Sequence, residues 1–183
     1  MVTNAFETLG IEPRLIVDDE ALRSAFCESG KWMHPDAGGG EQEFSKLREA
    51  FEIIASPSKR LKHWLDLRGT PAESRGTVDP PLMDLFAEVG RVTQRAETVI
   101  RKREAAKSAL GLALLEPESQ ICREAVEKAI GLMDAAMTNE CSTFLEMENT
   151  AQVDVERASK TARNLAFLEK WRAGLRSVFS RLV

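Results

Sequence analysis

The sequence predicts an all-α protein: an N-terminal helical hairpin followed by a C-terminal antiparallel three-helix bundle. Three observations lead there. Apolar residues recur at helical spacing along most of the chain, while strand-type alternation is scarce. Only 11 glycines and 7 prolines punctuate 183 residues, so breaks are few and helices long. An apolar fraction of 43% is enough for a real core in one or two domains.

Taken in order, Asn4 to Ile11 forms a short first helix with Phe6 and Leu9 apolar, Asn4 as its cap and Gly10 and Pro13 closing it. Asp18 caps the second helix, whose first-turn acids Asp19 and Glu20 suit the helix dipole and whose apolar residues are Leu22, Ala25, Phe26 and Met33. Pro35 ends it, and Gly38-Gly39-Gly40 lets the chain reverse. A third helix from about Glu41 to Ala55 carries Phe44, Leu47, Phe51 and Ile54. Ser56-Pro57 then stops it and starts a fourth, with Leu61, Trp64 and Leu65 apolar and Gly69 as its stop. Residues 70–81 hold three prolines and few large apolar side chains and read as a linker, which gives domains at 1–69 and 82–183.

From Leu82 three long stripes follow. The first runs through Leu82, Phe86, Val89, Val92, Ala96, Val99, Leu110 and Leu114, with Glu116-Pro117 as its expected break. The second runs through Ile121, Ala125, Ala129, Leu132, Ala136 and Phe144 and ends near Glu148-Asn149-Thr150. The third runs through Ala158, Leu165, Leu168, Trp171, Leu175, Val178 and Leu182. Short breaks between three such helices favour an antiparallel bundle.

Composition excludes several function classes. A net charge of −4 argues against a chain-wide nucleic-acid or membrane-surface role. The basic stretch Arg91, Arg95, Arg101, Lys102, Arg103 and Lys107 reads as a solvated face partly paired with Glu97 and Glu104. Cys27, Cys122 and Cys141 lack CxxC spacing and read as small apolar fillers in a reducing compartment. No signal peptide and no run of about 18 apolar residues is visible, so a cytoplasmic, soluble protein is expected. His34 and His63 lack partners at ligand spacing, and no nucleophile–base arrangement stands out. No metal site, cofactor or enzymatic activity is expected. The glycine run lacks a following Lys-Ser/Thr and precedes Glu41 and Glu43, so it reads as a turn rather than a phosphate cradle.

His34-Pro35-Asp36, between an Ala-Leu-x-x-Ala-Phe helix and a helix containing Ala50-Phe51, resembles the loop of the J-domain. That module stimulates the ATPase of DnaK/HscA-class chaperones. The order of Phe6-Glu7-Thr8-Leu9-Gly10, Trp64 to Gly69, Pro81-Leu82-Met83-Asp84 and Leu165 to Lys170 further resembles the HscB family of iron–sulfur co-chaperones. The resemblance implies that His34, Pro35 and Asp36, with the second-helix cations Arg23 and Lys31, face the chaperone. It also implies that Leu82, Met83, Phe86 and Phe167 hold a client, an IscU-like scaffold protein. The residues themselves leave two outcomes open. Phe167 lies about 100° around its helix from Leu168, and Met83 lies beside Leu82 and Phe86, so these side chains are either an exposed patch or the edge of a wide buried stripe.

Two departures from the family stand out. The second helix of a J-domain is usually basic, whereas this one sets Arg23 and Lys31 against Asp18, Asp19, Glu20 and Glu28, and Ala37 follows Asp36 where a basic residue is common. Ser29-Gly30 also weakens the helix. A J-protein with another client, and a helical adaptor whose J-domain has lost its activity, are the competing expectations.

Overall fold

The computed structural model describes residues 4–33, 40–73 and 76–183. Eight helices and no strand are found among them: α1 (Ala5–Thr8), α2 (Asp19–Met33), α3 (Glu41–Ala55), α4 (Pro57–Leu67), α5 (Pro80–Ala105), α6 (Ala109–Cys141), α7 (Phe144–Asn149) and α8 (Val155–Leu182). Two compact units are formed. One combines residues 1–76 with Cys141–Ala166, and the other combines Thr77–Glu140 with Phe167–Val183.

In the first unit the helix ends follow their local signals. Asn4 Oδ1 accepts from the amides of Phe6 and Glu7, which starts α1. Asp18 Oδ2 accepts from Ala21 N at 2.8 Å and opens α2. Ser56 Oγ caps α4 through Lys59 N at 3.2 Å, with Pro57 in the first turn. Gly69, at φ +72°, closes α4 in a left-handed conformation that an L side chain rarely adopts. α3 packs against α1, α2 and α4, with Leu22, Leu47 and Ile54 buried and the rings of Phe26 and Phe51 4.7 Å apart.

The same unit includes α7 and the start of α8. Glu148 of α7 accepts hydrogen bonds from the backbone amides of Leu15 and Ile16, so one carboxylate satisfies two of the donors between α1 and α2. Arg60 donates to the Ile54 carbonyl at 2.6 Å and lies 6.0 Å over the Phe144 ring. Glu73, inside the expected linker, donates its amide to Ser159 Oγ at 2.8 Å and accepts from Arg163 through its carbonyl at 3.0 Å.

The second unit is the three-helix arrangement of α5, α6 and the distal part of α8. Its ties give the directions: Asp134 meets Arg172 and the Leu182 carbonyl meets Arg123, so α6 and α8 run antiparallel. Phe86 meets Trp171 and Glu97 meets Arg181, so α5 and α8 run parallel. Ala96, Val99, Cys122, Val126, Met133, Leu168, Leu175 and Leu182 are buried.

Three expectations are corrected. The break after α5 falls at residues 106–108 rather than at Glu116-Pro117, because Ser108 caps α6: its carbonyl accepts from Leu112 N and its hydroxyl from Gly111 N, both at 3.0 Å. Pro117 lies inside α6. Proline removes one amide, and the partner it forgoes is the carbonyl of Ala113 on an exposed face open to water. Leu110 and Leu114 consequently belong to α6 and are exposed rather than on the α5 stripe. The α6 core stripe is also rotated by one residue, through Cys122, Val126, Ala129, Met133 and Met137, leaving Ile121 and Leu132 exposed. Cys27 is exposed rather than a core filler, while Cys122 is buried, and burial pushes its thiol pKa up.

Candidate partner-binding surfaces

The chaperone-facing reading rests on α2, α3 and the residues between them. His34, Pro35 and Asp36 lie outside the described residues. The helices that flank them end at Met33 and begin at Glu41, with Gly40 in extended conformation preceding α3. Arg23 and Lys31 are both exposed on α2, and Lys31 is paired with Glu28 one turn earlier. That i,i+3 pair is solvent-exposed and contributes a few tenths of a kcal/mol at most, about the level of other surface pairs. Trp32, which carried no role in the sequence reading, is a large hydrophobic side chain of α2 left 81% exposed.

The client-facing reading rests on α5 and α8. Leu82 is buried, at 8% exposure, so its side chain is part of the packing and not of an accessible surface. Met83, Phe86 and Phe167 are exposed. Met83 and Phe86 are three apart on one helix and share a face. Phe86 and Phe167 are brought together by Trp171, which stacks on Phe86 at 4.7 Å and 27° and meets Phe167 at 5.8 Å and 38°. Such pairs add about 0.5–1.5 kcal/mol each beyond area burial. Trp171 read as a core residue of the third stripe. It is only partly buried and forms the middle of this cluster. Helical periodicity marks a face as apolar but does not say whether a large ring at its edge is covered. Phe86 and Trp171 continue into an open groove of about 490 Å³ whose lining includes Val89, Gly90, Gly174 and Leu175.

Three cations of the basic stretch are paired with carboxylates. Lys102 reaches both carboxylate oxygens of Glu118 at 2.9 Å, Arg103 meets Glu116 at 2.7 Å, and Arg91 pairs with Glu88. Glu97 and Glu104, the expected partners within the helix, are taken instead by Arg181 of α8. Arg123 and Arg103 together hold the Glu116 carboxyl below the usual range, Arg123 contributing most.

His63 has a structural role. Its Nε2 accepts the Ala5 amide at 3.0 Å and its ring stacks on Phe6 at 5.7 Å. Among the described residues no group of three His, Cys, Asp or Glu could hold a metal, and no helix is long and apolar enough to cross a membrane.

No protein-family model matches the chain. Over 61 residues it is 40% identical to chaperone protein DnaJ of Lacticaseibacillus casei, covering 32% of this chain and 15% of that protein. Over 79 residues it is 32% identical to a curved DNA-binding protein of Pseudomonas syringae pv. tomato, covering 42% of this chain and 24% of that one. The chain thus spans less than a quarter of the length of these relatives. Among solved structures, chaperone HscB from Vibrio cholerae aligns over 99% of this chain and 100% of its own, with a TM-score of 0.57 and 20% sequence identity. In sequence the chain resembles J-domain proteins. In fold it resembles HscB along its whole length.

Proposed function

We propose that this protein is a cytoplasmic co-chaperone that stimulates the ATPase of a DnaK/HscA-class chaperone and delivers to it an IscU-like scaffold for iron–sulfur cluster assembly. The observation that carries the reading is the HscB fold over 99% of the chain, with His34-Pro35-Asp36 placed between two helices by the sequence. Residues 1–69 take the chaperone-facing role and 82–183 the client-holding role, with 70–81 between them.

The chemistry at the chaperone is one of recognition and needs no reacting group on this chain. An ionised Asp36 only accepts hydrogen bonds, and its natural partner is an arginine in a charge-assisted pair. In this reading Pro35 restricts the conformations open to the residue before it, and His34 offers a donor and a flat ring. Arg23 and Lys31 add a small positive contribution. At the client, Met83, Phe86 and Phe167 offer exposed apolar surface, and aromatic side chains stacked beforehand lose little entropy on binding. Leu82, carried by the same helix as Met83 and Phe86, is buried.

The test is twofold. Purified protein added to an ATP-loaded DnaK-class chaperone should raise the hydrolysis rate, and an immobilised IscU-type scaffold should retain the wild type but not Phe167→Ala or Met83→Ala. A rate equal to the unstimulated one removes the co-chaperone reading. Retention unaffected by both variants removes the client site. The acidic balance of α2 favours one second reading, an adaptor whose J-domain no longer stimulates, and the hydrolysis rate separates the two.

A further inference from the structure

α2 carries Asp19, Glu20 and Glu28 against Arg23 and Lys31, a net single negative charge, and Lys31 is already tied to Glu28. A helix of this balance offers little positive charge with which to draw a partner. Its last turn instead presents Trp32 with 81% of its surface exposed, two residues before His34 in the sequence. The fold has no use for that indole: Leu22 supplies the buried contact of α2, and Phe26 meets Phe51. A large ring left in water is unfavourable in the free protein, and tryptophan is among the side chains most enriched where binding energy concentrates.

We infer that Trp32 is a docking residue for the chaperone, its indole entering an apolar recess on the partner. The contribution of α2 to engagement then comes from burial of an aromatic ring rather than from positive charge on the helix, beside the proposed Asp36 pair. This rests on the co-chaperone reading above and adds to it the chemistry of the partner's surface. It also accounts for how an acidic α2 can still engage, since desolvation of a ring is nearly indifferent to salt while charge pairing is screened.

The experiment uses the full chain and a purified DnaK-class chaperone in its ATP state, with single-turnover hydrolysis measured against co-chaperone concentration at about 50 and about 300 mM salt. Trp32→Ala should raise the half-maximal concentration about tenfold or more, Trp32→Phe should recover part of it, and the wild-type value should change little between the two salts. Asp36→Asn serves as the control for the underlying reading. If the wild type stimulates and Asp36→Asn does not, while Trp32→Ala matches the wild type, the inference is overturned and the co-chaperone reading stands. A wild type that never stimulates overturns both. A steep salt dependence of the wild-type value also overturns the inference. Circular dichroism of Trp32→Ala should be unchanged, since the side chain is exposed.

Discussion

The two proposed contact surfaces are built on opposite physical principles. On α2 the relevant side chains stand apart from the core: Arg23, Lys31 and Trp32 are exposed, and the helix is held by Leu22 and the Phe26–Phe51 contact. On α5 and α8 the relevant rings stack on one another, with Trp171 between Phe86 and Phe167 and buried Leu82, Leu168 and Leu175 on the same helices. The first arrangement separates function from stability, because its residues can change without disturbing packing. The second couples them, because a ring that organises the patch also covers the core.

The largest expected effect tests the first half of that contrast. Asp36→Asn keeps the size of the side chain and removes the charge, so the proposed arginine on the chaperone loses its counter-ion. Loss of one member of a buried charge pair costs about 2–5 kcal/mol of binding. Stimulated hydrolysis should fall to the unstimulated rate, while the unfolding free energy from urea titration should stay within about 0.5 kcal/mol of wild type if Asp36 serves recognition and not packing. A large loss of stability would show that function and fold are not separable there.

Trp171→Ala tests the other half. It removes both ring contacts at once, and with partial burial the cost to folding should be about 2–4 kcal/mol, near the lower end for large aromatic truncations. Phe167→Ala removes one contact of an exposed ring and should cost about 1 kcal/mol. Denaturant titration and scaffold retention measured on both variants should show Trp171→Ala impaired in both respects and Phe167→Ala mainly in retention. Equal stability of the two would break the claim that the patch and the core are coupled.

Short-range features were the ones legible in the sequence. Asn4, Asp18, Ser56-Pro57 and Gly69 act within a few residues of themselves, and each ends or begins a helix as expected. The all-α class and the core faces of α5 and α8 followed from periodicity. What failed depended on competition or on tertiary partners. Pro117 read as a break, but the Ser108 cap sets the start of α6 and the proline forgoes only one solvent-facing bond. α6 carries apolar residues at both the Ile121 and the Cys122 registers, and only its neighbours select the second. That Glu97 pairs with Arg181 rather than along its own helix is likewise invisible without the third dimension. At the proposed sites, the sequence marked Met83, Phe86 and Phe167 but missed Trp171 and Trp32, because a ring's exposure is not a property of periodicity.

His63 offers an effect of intermediate size in the unit that contains α1–α4. Its imidazole must be neutral at Nε2 to accept the Ala5 amide, and burial lowers its pKa from the ordinary 6.5, with Asp66 acting weakly in the opposite sense. The unfolded chain therefore binds the proton more readily. The contribution to stability is complete above about pH 6.5 and is lost as pH falls through the lowered folded value. His63→Leu should cost about 1–3 kcal/mol at neutral pH by leaving a buried amide unpaired, and should flatten the stability profile below pH 6.5. Urea midpoints of both proteins across that range are the check. A wild-type midpoint that rises on acidification would contradict the assignment.

The smallest effect sharpens the contrast at the edge of the aromatic groove. Gly90 lies inside α5, and a Cβ built on it meets nothing within 4 Å. Alanine there should therefore stabilise by about 0.5–1 kcal/mol through helix propensity alone, raising the melting temperature by roughly 1–4 °C. Gly69 gives the matched opposite. It too has open space around it, but at φ +72° an added Cβ strains the backbone, so Gly69→Ala should destabilise by about 1 kcal/mol. Melting curves of the pair separate backbone conformation from packing, since neither position has a neighbour to clash with. Stabilisation at both positions would mean that α4 ends without its left-handed residue. Destabilisation at Gly90 would mean that the groove wall beside Phe86 and Trp171 is filled in solution.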